Sequence, residues 1–128
     1  MIFHVPNSSI DFTINCDELI VKDVNFFRCN NFFYDFKFAD GVQLVSLTNI
    51  SPPLRYDNKV WFRDNDTVLK LLLAMKNKDP LPPITVWSLG KKLSNFISVR
   101  DGFHRFYLSI AMGYTHIPII INDWDFED

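Results

Sequence analysis

A pair of prolines, Pro52-Pro53, separates two parts of the sequence that have different patterns. Proline lacks a backbone N–H and has a fixed φ angle, so the interior of a strand cannot continue through the pair and the chain must change direction. The residues before the pair predict short strands. The residues after it alternate between helical and strand-like periodicity, which together predicts an α+β fold.

The first part is rich in aromatic residues, and one stretch of it, residues 32–38, predicts a half-buried strand. Its alternate positions are aromatic: Phe32, Tyr34, Phe36 and Phe38. A period of two is typical of a strand with one face against a core. Asp40-Gly41 then predicts a tight turn, so we expect residues 42–47 to return antiparallel to the aromatic strand as a hairpin. Shorter strands are expected at residues 10–14 and 19–21.

The second part predicts two helices among three strands. Apolar residues fall on one face of the first helix at the helical period: Val68, Leu71, Leu72 and Met75. This helix is expected over residues 66–78, with an N-cap at Asp64, Asn65 or Asp66 and with Pro80 after its end. Strands are expected at residues 82–87, 96–99 and 117–121. A second helix of about ten residues precedes the last strand and ends at Gly113.

The stretch Asp101-Gly102-Phe103-His104-Arg105 combines residue types that suit an anion. A strand that ends in Asp-Gly and continues into a helix places the positive end of the helix macrodipole at the turn. Arg105 offers a planar fork of donors that matches phosphate oxygens, and His104 adds a donor that can gain charge. Gly102 is expected to let a ligand approach the backbone. From the residues alone, a turn with a surface arginine and a capped helix is an equal alternative.

The same stretch, followed by Ala111, Gly113 and Ile117-Pro118, resembles the signature of the ParB/sulfiredoxin-like superfamily. The order upstream is similar too, with a strand, the Pro52-Pro53 exit, a helix and a strand that begins at the second proline pair. The resemblance covers residues 42–121 and implies a mixed sheet with two main helices. Within one domain of residues 1–128, residues 1–41 would then be an aromatic-rich β extension and residues 122–128 an acidic tail.

The resemblance implies that the ligand is a nucleoside triphosphate, ATP or CTP with Mg²⁺. The residues expected to bind it lie in the turn and near the prolines: Gly102, Phe103, His104, Arg105, Arg55 and Arg63. Phosphoryl transfer or hydrolysis would place His104 and Arg105 beside the transferring phosphate, with Asp57 as the candidate base. Asp101 is the candidate metal ligand, although a helix-capping role is favoured for it. Sulfiredoxin activity is excluded, because Phe103 stands where the resemblance requires the catalytic cysteine.

The sequence leaves open whether the chain is an enzyme. Kinases and ATPases of the superfamily place a glutamate near the Pro-rich turn, whereas residues 51–63 contain Asp57 as their single acid. One alternative is a protein-interaction module that uses the aromatic residues of the stretch 32–38. Another is a nuclease or DNA-associated protein, although a formal net charge of −2 disfavours a broad nucleic-acid surface.

The sequence also gives expectations about the cellular setting. No apolar run is long enough to span a bilayer, and the N-terminal residues lack the pattern of an export signal. We therefore expect a cytoplasmic protein without membrane contacts. Cys16 and Cys29 are not in a paired C-x-x-C spacing, so they are expected to be reduced thiols rather than metal ligands.

Overall fold

The central feature of the fold is a five-stranded mixed sheet with two α-helices packed against it. The computed structural model describes residues 1–16, 24–54, 60, 62, 64–88 and 97–123. Within these residues the strands and helices are β1 (Ile2–His4), β2 (Asp11–Thr13), β3 (Gln43–Ser46), β4 (Ile50–Ser51), α1 (Asn65–Lys76), β5 (Ile84–Ser88), β6 (Ile97–Asp101), α2 (Phe103–Ala111) and β7 (His116–Asp123). The predicted α+β class, with two main helices and a mixed sheet, is confirmed.

The strands of the main sheet lie in the order β3-β7-β5-β6-β4. The pairs β5–β7 and β4–β6 are parallel, whereas β3–β7 and β5–β6 are antiparallel. Alternate residues of a strand lie on the same face of the sheet. Ile84 and Val86 of β5 and Ile117 and Ile119 of β7 are such alternate residues, and all four are fully buried. One face of the two adjacent strands β5 and β7 therefore lies in the core.

The first helix, Asn65–Lys76, lies close to the predicted range of residues 66–78. Asp64 is the N-cap, and its carboxylate accepts a hydrogen bond of 2.6 Å from the backbone N–H of Thr67. Val68, Leu72 and Met75 are buried on the face that meets the core. The predicted apolar face of α1 and its N-cap at Asp64 are thus confirmed.

The second helix is buried on most of its surface. Its buried residues are Phe103, Phe106, Tyr107, Leu108, Ser109 and Ala111. A helix that is apolar almost all round lies inside a domain rather than on its surface. Gly113 follows the helix with a φ of +83°, the left-handed conformation that glycine adopts at a helix C-terminus. Because α2 contacts both α1 and β7, the turn that begins it is held by the core on several sides.

The N-terminal residues form a small antiparallel sheet of β1 and β2 that packs on α2. Phe12 of β2 is buried, and its ring lies 5.1 Å from the ring of Tyr107 and 5.4 Å from the ring of Phe3. Aromatic pairs at this spacing stabilise a core beyond the area they bury. The strand predicted at residues 10–14 is confirmed as β2, and the one predicted at residues 19–21 lies outside the described residues.

The predicted hairpin between residues 32–38 and 42–47 is wrong. The turn at Asp40-Gly41 forms, with a φ of +83° at Gly41, but β3 pairs with β7 instead of the aromatic stretch. Residues 32–38 form no strand and make an isolated parallel bridge between Phe36 and Leu81. The physical reason is that residues 35 and 37 bond to the backbone of Leu81, through Leu81 N–H to Asp35 O and Lys37 N–H to Leu81 O, both at 2.9 Å.

No helix among the described residues has the length and apolar character needed to cross a membrane. Cys16 and Cys29 are both free thiols and are partly buried.

Candidate functional site

A cleft of about 460 Å³ opens at the N-terminus of α2. The end of β6 and the first turn of α2 form one side, and residues after β4 together with α1 form the other. The lining residues are Pro53, Leu54, Thr67, Leu71, Val99, Arg100, Asp101, Gly102, Phe103, His104 and Arg105. The structure thus brings the whole predicted turn, residues 101–105, to one concave surface beside the Pro52-Pro53 exit.

Gly102 makes the sharp passage from β6 into α2 possible. Its φ is +125°, a conformation that side chains other than that of glycine rarely adopt. A Cβ atom at this position would lie 2.4 Å from Cγ2 of Ile84, which belongs to the neighbouring strand β5. The glycine is therefore required by the packing of its own turn on β5. This contact accounts for the glycine without a ligand. The expectation that the missing side chain makes room for a ligand stays a prediction.

Arg105 is largely committed to contacts within the protein. One nitrogen, Nη1, donates to the carbonyl of Pro82 at 3.0 Å and to that of Pro83 at 3.4 Å. Nη2 lies 3.5 Å from a carboxylate oxygen of Asp101, and the side chain is 13% exposed. The hydroxyl of Tyr34 donates to the same Pro82 carbonyl at 2.7 Å. Arg105 thus connects α2 to the proline pair that precedes β5.

Asp101 does not cap α2, so the favoured role for it is wrong. The N-cap of α2 is Gly102, which has no side chain to make a capping hydrogen bond. The Asp101 carboxylate lies instead near Arg105, four residues along, and remains 78% exposed to solvent. Asp101 is the last residue of β6 and lines the cleft. Gly102, which follows it, occupies the capping position.

His104 and Phe103 occupy different environments at the start of the helix. The Phe103 ring is buried and lies 5.0 Å from the ring of Tyr107. The His104 ring is partly exposed and contacts the ring of Phe62 at a centroid distance of 5.6 Å. Phe103 therefore lines the cleft from the core side, whereas His104 is the more accessible of the two.

Tyr107 holds the opposite wall of the cleft. Its hydroxyl donates a hydrogen bond of 2.5 Å to the carbonyl of Pro53, which lines the cleft with Leu54. Burial raises the pKa of the Tyr107 phenol, so the hydroxyl remains a donor over the whole neutral range. This contact fixes the Pro52-Pro53 exit against α2 and sets the width of the cleft at this point.

Arg100 is a cleft residue that the sequence reasoning missed. It lies on β6, is exposed, and places its guanidinium carbon 4.9 Å from the centre of the Trp87 ring. Trp87 pairs with Ser98 in the β5–β6 register, and Arg100 is the residue without a register partner where the pairing shifts between Val86 and Thr85. The sequence did contain a signal for Arg100, because a basic residue directly precedes the motif of residues 101–105.

Several predicted site residues cannot be placed in the site. Arg55, Asp57 and Arg63 lie outside the described residues. Within the described ranges, no group of three or more His, Cys, Asp or Glu side chains is arranged to hold a metal ion.

The predicted partner surface on residues 32–38 is not a single surface. Phe32 and Phe38 are 67% and 87% exposed, whereas Tyr34 is buried in the core. Phe36 is partly buried, and its ring lies 5.8 Å from that of Phe33. Because the stretch is not a strand in a sheet, alternate positions do not share one face. The interpretation of all four aromatics as one partner-binding stripe is wrong.

The fold is similar to that of the C-terminally truncated chromosome-partitioning protein ParB from Caulobacter crescentus, whose crystal structure is a complex with CTP-gamma-S. The match has a TM-score of 0.50 and 16% sequence identity, and it covers 67% of this chain and 46% of that chain. The chain thus spans about half the length of that ParB structure. At this identity the likeness shows the fold, which is α+β and ParB-like. No protein-family model and no curated protein sequence matches the chain.

Proposed function

We propose that the cleft binds a nucleoside triphosphate, with the phosphate chain against the first turn of α2. The observation that carries this proposal is that the positive end of α2 and the side chains of Arg100, His104 and Arg105 converge on one cleft. The likeness of the fold to a ParB structure with CTP-gamma-S supports the same ligand class.

The charge distribution supports an anionic ligand at this place. The chain as a whole has a formal net charge of −2, so it does not attract anions in general. Asp101 is the one acidic side chain among the described residues that line the cleft, and it lies beside Arg105. A helix N-terminus is equivalent to roughly half a positive charge, which adds to that of the two arginines.

Magnesium belongs to the proposal as a companion of the phosphates. Mg²⁺ is usually held by one or two carboxylates together with phosphate oxygens of the substrate, rather than by a complete cage of side chains. The exposed Asp101 carboxylate at the edge of the cleft fits that role. A magnesium ion held in this way requires no second acidic side chain, and the described residues offer no cluster of three or more. A bound magnesium ion would neutralise charge on the phosphate chain.

Phosphoryl transfer is an extension of this proposal. His104 lines the cleft and could stabilise charge on a transferring phosphate, as predicted from the motif. Arg105 supports the turn through the Pro82 and Pro83 carbonyls, so its contribution to such a step would be indirect. The predicted base Asp57 and the predicted phosphate ligands Arg55 and Arg63 complete the proposal. Release of inorganic phosphate from bound triphosphate is the measurement that separates catalysis from binding alone.

Calorimetric titration with CTP, ATP and GTP, each with and without Mg²⁺, tests the binding proposal. We expect at least one triphosphate to bind and His104→Ala to weaken that binding. His116→Ala is the matched control, because His116 lies at the start of β7, bonded to Thr115, and does not line the cleft. Absence of binding for all three nucleotides at millimolar concentration would overturn the proposal.

A further inference from the structure

We infer that Arg100, held over the ring of Trp87, is the cation that contacts the phosphate chain directly, whereas Arg105 supports the turn. This inference rests on the proposed function and assigns the roles of the two arginines within that site. It reverses the expectation from the sequence, in which Arg105 is a phosphate ligand and Arg100 has no role.

The two guanidinium groups differ in how far the protein already engages them. Arg105 makes three polar contacts within the protein, to the carbonyls of Pro82 and Pro83 and to Asp101. A phosphate would have to replace these contacts, which would take a donor from the Pro83 carbonyl and leave the Pro82 carbonyl with the Tyr34 hydroxyl alone. Among the described residues, the Arg100 side chain makes no hydrogen bond or ion pair, and its guanidinium lies over the Trp87 ring.

The Arg100–Trp87 pair lies at an irregular point of the β5–β6 pairing. The register shifts there, so Arg100 has no register partner on β5, and its guanidinium carbon lies 4.9 Å from the centre of the Trp87 ring. Stacking on an aromatic ring restrains the plane of a guanidinium and leaves its N–H donors at the edge. Those donors are what a phosphate group binds, in pairs. Trp87 is therefore a positioning residue, which reduces the freedom that Arg100 would otherwise lose when it binds.

A further argument is the position of Arg100 relative to the helix. It lines the same cleft as the first turn of α2 and lies two residues before the Gly102 cap. A phosphate chain at the helix N-terminus would then have the macrodipole on one side and the Arg100 guanidinium on the other. The protein could then bind several negative charges at this turn, even though Arg105 is already bonded to the carbonyls of Pro82 and Pro83.

The test compares Arg100→Gln with Lys76→Gln by calorimetry on the full chain. Both changes remove one positive charge, and both residues lie over a ring, since Lys76 Nζ is 5.3 Å from the centre of Phe26. Lys76 does not line the cleft. Because a charged hydrogen bond contributes about 1.5–3 kcal/mol, we expect Arg100→Gln to weaken triphosphate binding about tenfold or more. Lys76→Gln should leave it unchanged.

The probes in this titration are the triphosphate, the matching nucleoside and inorganic triphosphate. Arg100→Gln should weaken both phosphate-containing probes and leave any nucleoside binding as in the native chain. Equal triphosphate affinity in Arg100→Gln and the native chain, with a loss in His104→Ala, would overturn the role of Arg100 and leave the proposed function intact. No triphosphate binding by the native chain would overturn both.

A double-mutant cycle tests the positioning role of Trp87. Trp87→Leu should weaken triphosphate binding in the native background and have no further effect in the Arg100→Gln background. Trp87→Phe keeps an aromatic ring and should retain most of the affinity. An equal loss from Trp87→Leu in both backgrounds would show that Trp87 acts through the fold and not through Arg100.

Discussion

A Cβ atom on Gly102 would lie 2.4 Å from Cγ2 and 2.7 Å from Cβ of Ile84. Residue 102 thus has no space for a side chain while β5 keeps its place in the sheet. Ile84 is fully buried at the start of β5, so it has little freedom to move away. The turn that places α2 at the cleft therefore depends on the close contact of Gly102 with β5 as well as on backbone conformation.

Gly102→Ala should lower the free energy of unfolding by about 3 kcal/mol or more, through backbone strain and overpacking against Ile84. Gly41→Ala is the control, because Gly41 also has a positive φ, +83°, but nothing lies within 4 Å of its added Cβ. Its cost should be the backbone strain alone, about 1–2 kcal/mol. Denaturant unfolding measures both values. Equal losses in the two variants would contradict the role given to Ile84.

The two cleft arginines should differ in their effect on stability. Arg105→Ala removes a donor from the Pro83 carbonyl and one of the two donors of the Pro82 carbonyl, and should lower the free energy of unfolding by about 1–3 kcal/mol. Arg100→Ala removes an exposed stacking contact and should cost about 0.5–1 kcal/mol. Thermal and denaturant unfolding of both variants decides the comparison. A larger loss for Arg100→Ala would be inconsistent with these assignments.

The elements after the first proline pair could be predicted from local patterns. The helix α1 has a clear apolar face, an acidic cap and a following proline, and the observed range Asn65–Lys76 differs little from the predicted one. The strands β5, β6 and β7 and the helix α2 have comparable local signals. Each depends on neighbouring residues, so the sequence contains the information in a short window.

The contacts that define the cleft could not be predicted in this way, because they join distant residues. The hydrogen bond from Tyr107 to Pro53 joins residues 54 apart, and that from Tyr34 to Pro82 joins residues 48 apart. The period-two pattern of residues 32–38 was equally consistent with a hairpin and with a docked segment. Tertiary packing decides that this stretch bonds to the backbone of Leu81. The same packing places Tyr34 and Arg105 at the Pro82 carbonyl, where Arg105 has a structural role.

Two phenylalanines of the aromatic-rich residues 1–41 differ in burial and should differ in their effect on stability. Phe38 is exposed, whereas Phe12 is buried between the rings of Phe3 and Tyr107. Phe38→Ala should change the free energy of unfolding by less than about 0.5 kcal/mol. Phe12→Ala should lower it by about 3–5 kcal/mol, since it leaves a cavity in the core. Comparable losses from the two changes, measured by denaturant unfolding, would show that Phe38 is covered.

Replacement of Ser109 by alanine should stabilise the protein. Its hydroxyl is buried in α2 and has no hydrogen-bond partner among the residues that the structure describes, so the folded state bears the cost of its desolvation. Ser109→Ala should raise the free energy of unfolding by about 1 kcal/mol. Ser46→Ala is the control, because the Ser46 hydroxyl accepts from the Thr48 backbone N–H and bonds the Thr48 hydroxyl at 2.8 Å. That change should instead be destabilising; a loss of stability in both variants would indicate that Ser109 has a partner.

Alkaline pH should destabilise the protein through its buried tyrosines. Burial raises the pKa of Tyr34, Tyr107 and Tyr114 above the ordinary value of 10.0. Stability is therefore complete below about pH 10, where the phenols are protonated in both states. Above that pH the unfolded chain releases protons that the folded chain keeps, so the free energy of unfolding falls by up to about 1.4 kcal/mol per pH unit for each tyrosine.

The measurement is a pH titration of tyrosinate absorbance, followed in parallel by circular dichroism. Of the 4 tyrosines in the chain, these three should ionise together with the loss of folded signal instead of near the ordinary pKa. Tyr107→Phe should make the alkaline decrease less steep, because one linked proton is removed, even though the variant also loses the hydrogen bond to Pro53. Ionisation of all of them near pH 10 with an unchanged dichroism spectrum would show that their hydroxyls are open to solvent, and the Tyr107–Pro53 contact at the cleft would then be wrong.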